Sequence, residues 1–513
     1  MSSFYLVLEK MYTSRYTEGS IKMRSEYYNE RYRPQYHFSP EYGWMNDPNG
    51  LVYYDGEYHL FYQFYPLGIV HGPMHWGHAV STDLLRWNHL PIAMYPDDVG
   101  FMFSGCVVVD EHNTSGFQHG KEKTLVAVFT QENNGRQVQS IAYSNDRGRT
   151  WEKYSGNPVL ERPEFRDFRD PKVFWHSETE KWIMVLAVKD RVHFYNSPNL
   201  KEWEFTGEFG SSDGSHDGVW ECPDLFEMMV DGDKNNKKWV LTVSINGKLS
   251  GMQYFIGKFD GNTFVSENPS EEVRWIDSGK DFYAAVSWSD IPAADGRRLW
   301  IGWMNCWPYA EKIPAGKWRG NMSIVRELVL SNIDGFGLKL VQKPVSELES
   351  IRKEEIISVR DVWYSALDNA ISGLMLDTYE ILLEIDMSKS NSDQLGFKLF
   401  RDEDGYVDAG VDVSKGKVFV DRRHIACHHK MEGFAERHEA GLIWKDGIIN
   451  LHIYVDRASL EMFVNEGENV FTELIFSESD SRSIEFYCTE GDAYIKSLTI
   501  YSLDSIWKCP EKA

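Results

Sequence analysis

The sequence predicts an all-β chain, a five-bladed β-propeller followed by a C-terminal β-sandwich, on three observations. Short apolar runs bounded by Gly, Asp and Asn recur along the chain, while long helical periodicity is nearly absent. A polar turn closed by a large ring returns at intervals of about 50–65 residues, the size of a four-stranded blade. Near residue 345 the runs change from apolar throughout to strict alternation of apolar and polar residues.

Residues 1–32 read as an N-terminal extension. Its apolar run, Phe4 to Leu8, falls short of the roughly 7–15 residues of a secretory core. Residues 33–342 carry the blades, and the runs LVYYDGEYHLFYQFY, TLVAVFT, WIMVLAV, WVLTVSI and RLWIGWM supply their strands. Several are apolar on nearly every residue, as strands covered on both faces are. The repeated unit is Ser81-Thr82-Asp83-Leu84-Leu85-Arg86-Trp87, echoed by Ser144-Asn145-Asp146 ending at Trp151 and by Ser197-Pro198-Asn199 ending at Trp203. A looser copy spans Phe259 to Phe264. At this spacing the segment holds roughly five blades. Residues 343–356 read as a short helical linker, with Pro344 placed as the first residue of the helix. Residues 357–513 then alternate, as in EILLEIDMS and INLHIYVDRASLEMFV, which fits a sandwich with wet outer faces.

A formal charge of −24, from 54 basic and 78 acidic residues, argues against nucleic acid, anionic membranes and polyanionic substrates. A neutral ligand is expected, and 18 Trp, 27 Tyr and 28 Phe supply rings for a core and for stacking on sugars. No run approaches the roughly 18 apolar residues of a membrane span. Six scattered cysteines show no metal spacing, so free thiols in a reducing cytoplasm are expected, with secretion only if a leader has been removed.

Three carboxylates stand in settings suited to chemistry. Asp47, in Gly43-Trp44-Met45-Asn46-Asp47-Pro48-Asn49-Gly50, precedes a proline and a tight Asn-Gly turn. Asp170, in Arg169-Asp170-Pro171, has a cation beside it that favours its ionised form. Glu221, in Trp220-Glu221-Cys222-Pro223, lies among apolar neighbours whose burial raises a carboxyl pKa, as a general acid requires. A nucleophilic carboxylate and a proton-donating carboxyl are the minimum for glycoside hydrolysis, and a propeller funnel can bring distant ones together.

Trp44 to Gly50, Phe103-Ser104-Gly105, Arg169-Asp170-Pro171, Glu221-Cys222-Pro223, Asp281-Phe282-Tyr283-Ala284-Ala285, Gly302-Trp303-Met304 and Trp318-Arg319-Gly320-Asn321-Met322-Ser323 follow one another in order. Together they resemble glycoside hydrolase family 32, the invertases, exo-inulinases, levanases and related fructosyltransferases. The resemblance implies an exo-acting β-fructofuranosidase of retaining mechanism on sucrose and fructan ends, needing no metal or cofactor. It implies Asp47 as nucleophile, Glu221 as acid/base and Asp170 as transition-state stabiliser, with Arg169 beside it. Asn46, Gln63, Ser104, Trp76 and Trp307 are similarly assigned to the fructose pocket. His71 joins them at a position where the family usually has Trp, and Cys106, Cys306 and Tyr65 also depart from its pattern. These departures point to altered substrate preference. They keep two alternatives open, a fructosyltransferase on the same scaffold and a fructan-binding protein whose catalysis has faded. Homo-oligomerisation is left open.

Overall fold

The computed structural model describes residues 27–507, apart from 249, 368–370, 426–430, 443, 445 and 479–481. The Phe4–Leu8 run and most of the expected N-terminal extension lie outside the described residues, as do Cys427 and Cys509.

Five antiparallel blades follow one another along the chain. The first comprises Gly43–Tyr54, Glu57–Tyr65, His75–Ser81 and Asn88–Met94. The second comprises Phe101–Asp110, Thr124–Asn133, Arg136–Ser144 and the short Glu152–Lys153, with Leu160–Glu161 added to its third strand. The third comprises Phe168–His176, Lys181–Val188, Arg191–Ser197 and Glu204–Phe209. The fourth runs from Gly218–Val230 to Phe264–Ser266, and the fifth from Tyr283–Ser287 to Gly337–Pro344. Each blade begins at its innermost strand, and these strands neighbour one another around a closed ring, the fifth meeting the first. Closure into a ring leaves only short, protected sheet edges on which other chains could pair. Trp318–Arg319, from the fifth blade, adds a short parallel strand to Gly43–Trp44 and fastens the ring.

The repeated turn joins the third and fourth strands of its blade. Ser81, Ser144 and Ser197 end third strands, and each hydroxyl donates to the carboxylate or amide oxygen two residues on. That oxygen in turn accepts backbone N–H groups of the turn, a local closure that competes with strand continuation. Leu84, Arg147 and Leu200 take left-handed φ at equivalent points.

The expected linker helix is a short 3₁₀ helix of six residues, Ser346–Ile351, with Leu348 and Ile351 buried. Six residues are too few to sustain an α-helix alone, and Pro344 ends the last blade strand instead of opening a helix. Residues 352–356, expected as linker, already belong to strand Arg352–Trp363, which pairs with Tyr494–Leu503. Two six-stranded sheets stack from there on, with an aliphatic and aromatic core between them. Among the described residues no helix is long and apolar enough to cross a membrane.

Propeller and sandwich share a seam. Tyr36, Phe38, Val345 and Leu348 pack with Phe463, Val470 and Leu503 of the sandwich. Buried charges cross it as well. His37 bridges Asp456 at 2.7 Å and Glu461 at 2.9 Å, and Arg326 reaches Asp277, Glu461 and Thr472.

Candidate active site

The site is built by one device repeated five times. In every blade the innermost strand carries one extra residue against its neighbour, at the same height in the ring. The inserted pairs are Asn46-Asp47, Phe103-Ser104, Asp170-Pro171, Cys222-Pro223 and Ala284-Ala285. Arg169, Glu221 and Tyr283 are the last paired residues before their bulges. A bulge breaks strict alternation and re-aims side chains, here into the funnel. Asp170, Cys222 and Ala284 hold φ of 64°, 45° and 55°, a left-handed conformation that costs non-glycine residues energy and concentrates at functional sites.

The three carboxylates converge from three blades on a cleft of about 520 Å³. Asp47, 8% exposed, accepts Ser104 Oγ at 2.7 Å, Asn46 Nδ2 at 3.1 Å and the Cys222 thiol at 3.4 Å. Burial pushes its carboxyl up and the Glu221 charge adds to this, while those donors pull it down. Asp170, 6% exposed, accepts the Cys222 backbone N–H at 3.1 Å. Burial, with the charges of Glu221 and Asp47, raises it to about 7 against the pull of Arg169. Glu221 accepts Arg169 Nη2 at 2.9 Å on one oxygen and the Tyr283 hydroxyl at 2.6 Å on the other.

Two electrostatic expectations are corrected. Arg169 stands 3.9 Å from Asp170 but pairs more closely with Asp167 at 2.7 Å and Glu221 at 2.9 Å. Glu221 is not wrapped in its apolar sequence neighbours, since Trp220 turns into the core between the third and fourth blades. A cation, a phenol and Asn246 surround its carboxyl.

Asn46, Gln63, His71, Ser104, Arg169 and Trp307 all line the cleft with the three acids. Trp44 holds Asn46 through Nε1 at 2.8 Å. His71 stands edge-on to Trp307, with ring centres 5.7 Å apart, and its backbone N–H donates to Glu311. Trp76 is corrected. It is fully buried, packs on Phe61 and Phe129 and donates to the Phe103 carbonyl, so it supports the wall from behind. Cys106 and Cys306 also leave the cleft, for cores shared with the third blade and with the sandwich. Tyr65 lies under the loop bearing His71, so close to Gly68 and Gly72 that a Cβ there would come within 2.8 and 2.6 Å of its ring. His71 alone of the four departures faces the cleft. The expected Asn49-Gly50 turn is continuous strand, kinked by a second bulge at Gly50. With its amide oxygen facing Gln63, Asn49 accepts Gln63 Nε2 at 3.0 Å and donates to Ser104.

Sequence reasoning missed Phe103, Glu132, Gln137, Asp167, Asn246 and Glu311 as lining residues and Tyr283 as the partner of Glu221. Phe103 and Tyr283 lay inside quoted motifs and Asp167 two residues before Arg169; Glu132, Gln137, Asn246 and Glu311 had no local signal, because they enter from neighbouring strands and loops.

The profile of the glycosyl hydrolases family 32 N-terminal domain matches residues 37–344, and that of its C-terminal domain matches 347–502. A levanase of Bacillus subtilis is 53% identical over 488 residues, covering 94% of this chain and 72% of its own. An extracellular exo-inulinase of Aspergillus awamori is 37% identical, covering 94% of this chain and 96% of its own. The crystal structure of exo-inulinase from Aspergillus awamori superposes with a TM-score of 0.86 at 36% identity, over 94% of this chain and 100% of that one. A β-fructofuranosidase from Schwanniomyces occidentalis, complexed with fructosyl-erythritol, gives 0.84 at 30% identity, over 94% and 99%.

Proposed function

Because the chain belongs to glycosyl hydrolase family 32, we propose that it releases terminal β-D-fructofuranosyl residues from fructans and sucrose with retention of configuration. The observation that carries the residue roles is the convergence of Asp47, Asp170 and Glu221 from three blades on one cleft. The exo mode is supported by likeness to an exo-inulinase along 94% of the chain.

Asp47 attacks the anomeric carbon, and Glu221 gives its proton to the departing glycosidic oxygen. The donors Ser104, Asn46 and Cys222 favour the ionised form of Asp47 and offset part of the burial that raises its carboxyl. Water then enters, loses a proton to Glu221 and displaces Asp47 from the fructosyl carbon, restoring both carboxyl groups. Asp170 takes sugar hydroxyls, and Arg169, fixed by Asp167, holds Glu221 in place between the two steps. Residence in the cytoplasm remains part of the proposal, supported by four free thiols, Cys106, Cys222, Cys306 and Cys488; fractionation of the source cells tests it.

The test is incubation of pure protein with sucrose, 1-kestose, inulin and levan, with Glu221→Gln as control. Fructose released one unit at a time by the wild type alone is expected, with methyl β-fructofuranoside formed when methanol is present. No turnover on any of the four sinks the reading.

A further inference from the structure

The sandwich reaches the catalytic acid through one buried arginine. Arg422, at the end of sandwich strand Lys417–Asp421, is 0% exposed. Its Nη1 donates to Asp281 Oδ2 at 2.6 Å and lies 3.0 Å from Glu473, while its Nη2 donates to the Tyr309 hydroxyl at 2.7 Å. Tyr309 donates to the other Asp281 oxygen at 2.5 Å, and the Leu474 backbone N–H donates to Asp281 at 2.8 Å. The Asp281 backbone N–H is bound to the Thr472 carbonyl, so this point of the propeller is stitched to the sandwich by main chain and side chain together.

Both propeller partners of Arg422 stand two residues from a group of the site, Asp281 from the Glu221 partner Tyr283 and Tyr309 from the cleft-lining Trp307. Asp281 precedes Phe282 and Tyr283, and Tyr283 donates to Glu221 at 2.6 Å. Tyr309 follows Trp307, which lines the cleft and has its ring 6.4 Å from that of Trp44. A guanidinium presents its donors in a fixed planar fork, so one residue sets the separation of two segments. Closing this pair of clamps from the sandwich costs the desolvation of three charged groups, Arg422, Asp281 and Glu473, with His438 bound to Glu473 at 2.6 Å. Apolar residues would have filled the seam at lower cost.

We propose that Arg422 is a positioning residue for the hydrolysis: through Asp281 it sets Tyr283 against Glu221, and through Tyr309 it sets Trp307 at the sugar. This rests on the acid/base role assigned to Glu221. The groups facing that carboxyl are Arg169 and Asp170 from the third blade, Asp47 from the first, Cys222 and Asn246 from the fourth and Tyr283 from the fifth. Of these, only Tyr283 is tied to the sandwich through Asp281. Tyr283 donates to Glu221, so displacing Tyr283 disturbs the acid/base group itself, which the pH profile of kcat/KM reports.

The experiment measures pH profiles of kcat and kcat/KM on sucrose for the wild type, Tyr283→Phe, Arg422→Met, Arg422→Lys and the double variant Tyr283→Phe/Arg422→Met. Arg422→Met is expected to lose about tenfold in kcat/KM and to move the alkaline limb in the direction that Tyr283→Phe moves it, since small misplacements of catalytic groups are costly. The double variant is expected to move it no further than Tyr283→Phe alone, the mark of residues acting in series. Arg422→Lys, which keeps the charge but cannot bridge both partners, is expected to lie between. If Arg422→Met does not fold, Arg422→Lys decides by the same limb. A limb displaced in Tyr283→Phe but unmoved in the arginine variants overturns the proposal and leaves the role of Glu221 standing. A limb unmoved in Tyr283→Phe itself, with Glu221→Gln still active, overturns the acid/base assignment beneath it.

Discussion

The funnel floor and the propeller–sandwich seam bury similar groups and treat them oppositely. In the seam His37 serves Asp456 and Glu461, Arg326 serves Asp277 and Glu461, and Arg422 serves Asp281 and Glu473. Burial there works against the charged forms. Even so, His37 and backbone donors hold Asp456 below the usual carboxylate range, and Arg326 with His37 does the same for Glu461, while burial still lifts Asp277 against the pull of Arg326. On the funnel floor Asp47, Asp170 and Glu221 crowd round a single arginine, and both Asp47 and Asp170 are pushed up. Equal burial therefore does not mean equal purpose. Paired charge fixes geometry, and charge left short of partners is ready to take up a proton, a sugar hydroxyl or a carbon centre.

The largest effect expected of this contrast is on turnover. Asp47→Asn should lose at least about 10³-fold in kcat while melting no lower than the wild type, because a nucleophile is removed and like-charge crowding is relieved. A clear fall in melting temperature would mean the floor is structural like the seam. Arg326→Met should do the reverse, costing about 3–5 kcal/mol in denaturant unfolding by stranding Asp277 and Glu461; a loss below about 1 kcal/mol would deny the seam its fixing role.

Smaller effects depend on pH. Hydrogen bonds to Asp456 and Glu461 overcome burial and raise His37 from 6.5 to about 9. Its contribution, about 3 kcal/mol at most, is fully present below pH 6.5 and fades as pH rises towards 9. His37→Gln should therefore be destabilising at pH 6 and close to neutral at pH 10, by denaturant titration at both. Asp170 behaves differently. Burial lifts it from 3.8 to about 7, so its ionisation penalises the fold as pH rises through that window. Asp170→Asn should lose activity yet gain stability at pH 8 and nothing at pH 4; equal gains at both would remove the charge argument.

The four departures from the family pattern show how far a linear reading carries. His71, Cys106, Cys306 and, as a milder change, Tyr65 all read as clustered around the pocket, yet only the first faces the cleft. Trp76 failed for the same reason: on a strand covered on both faces, hydrophobicity does not say which side is which. Asp47, Asp170 and Glu221 were legible because proline and motif context single them out, whereas Asn246 and Glu311 reach the cleft only across a strand pair and from a distant loop.

By itself the sequence determined the all-β class, the blade spacing, the change of strand pattern before the sandwich and the three acids. These follow from period-2 patterning, turn chemistry and composition, which are local. Only the tertiary structure decided that Arg169 serves Glu221, that Tyr283 completes the acid and that a sandwich arginine underpins both Tyr283 and Trp307. The physical reason is the bulge. One inserted residue in each inner strand leaves no mark in the local pattern, but resets which way every side chain at the funnel points.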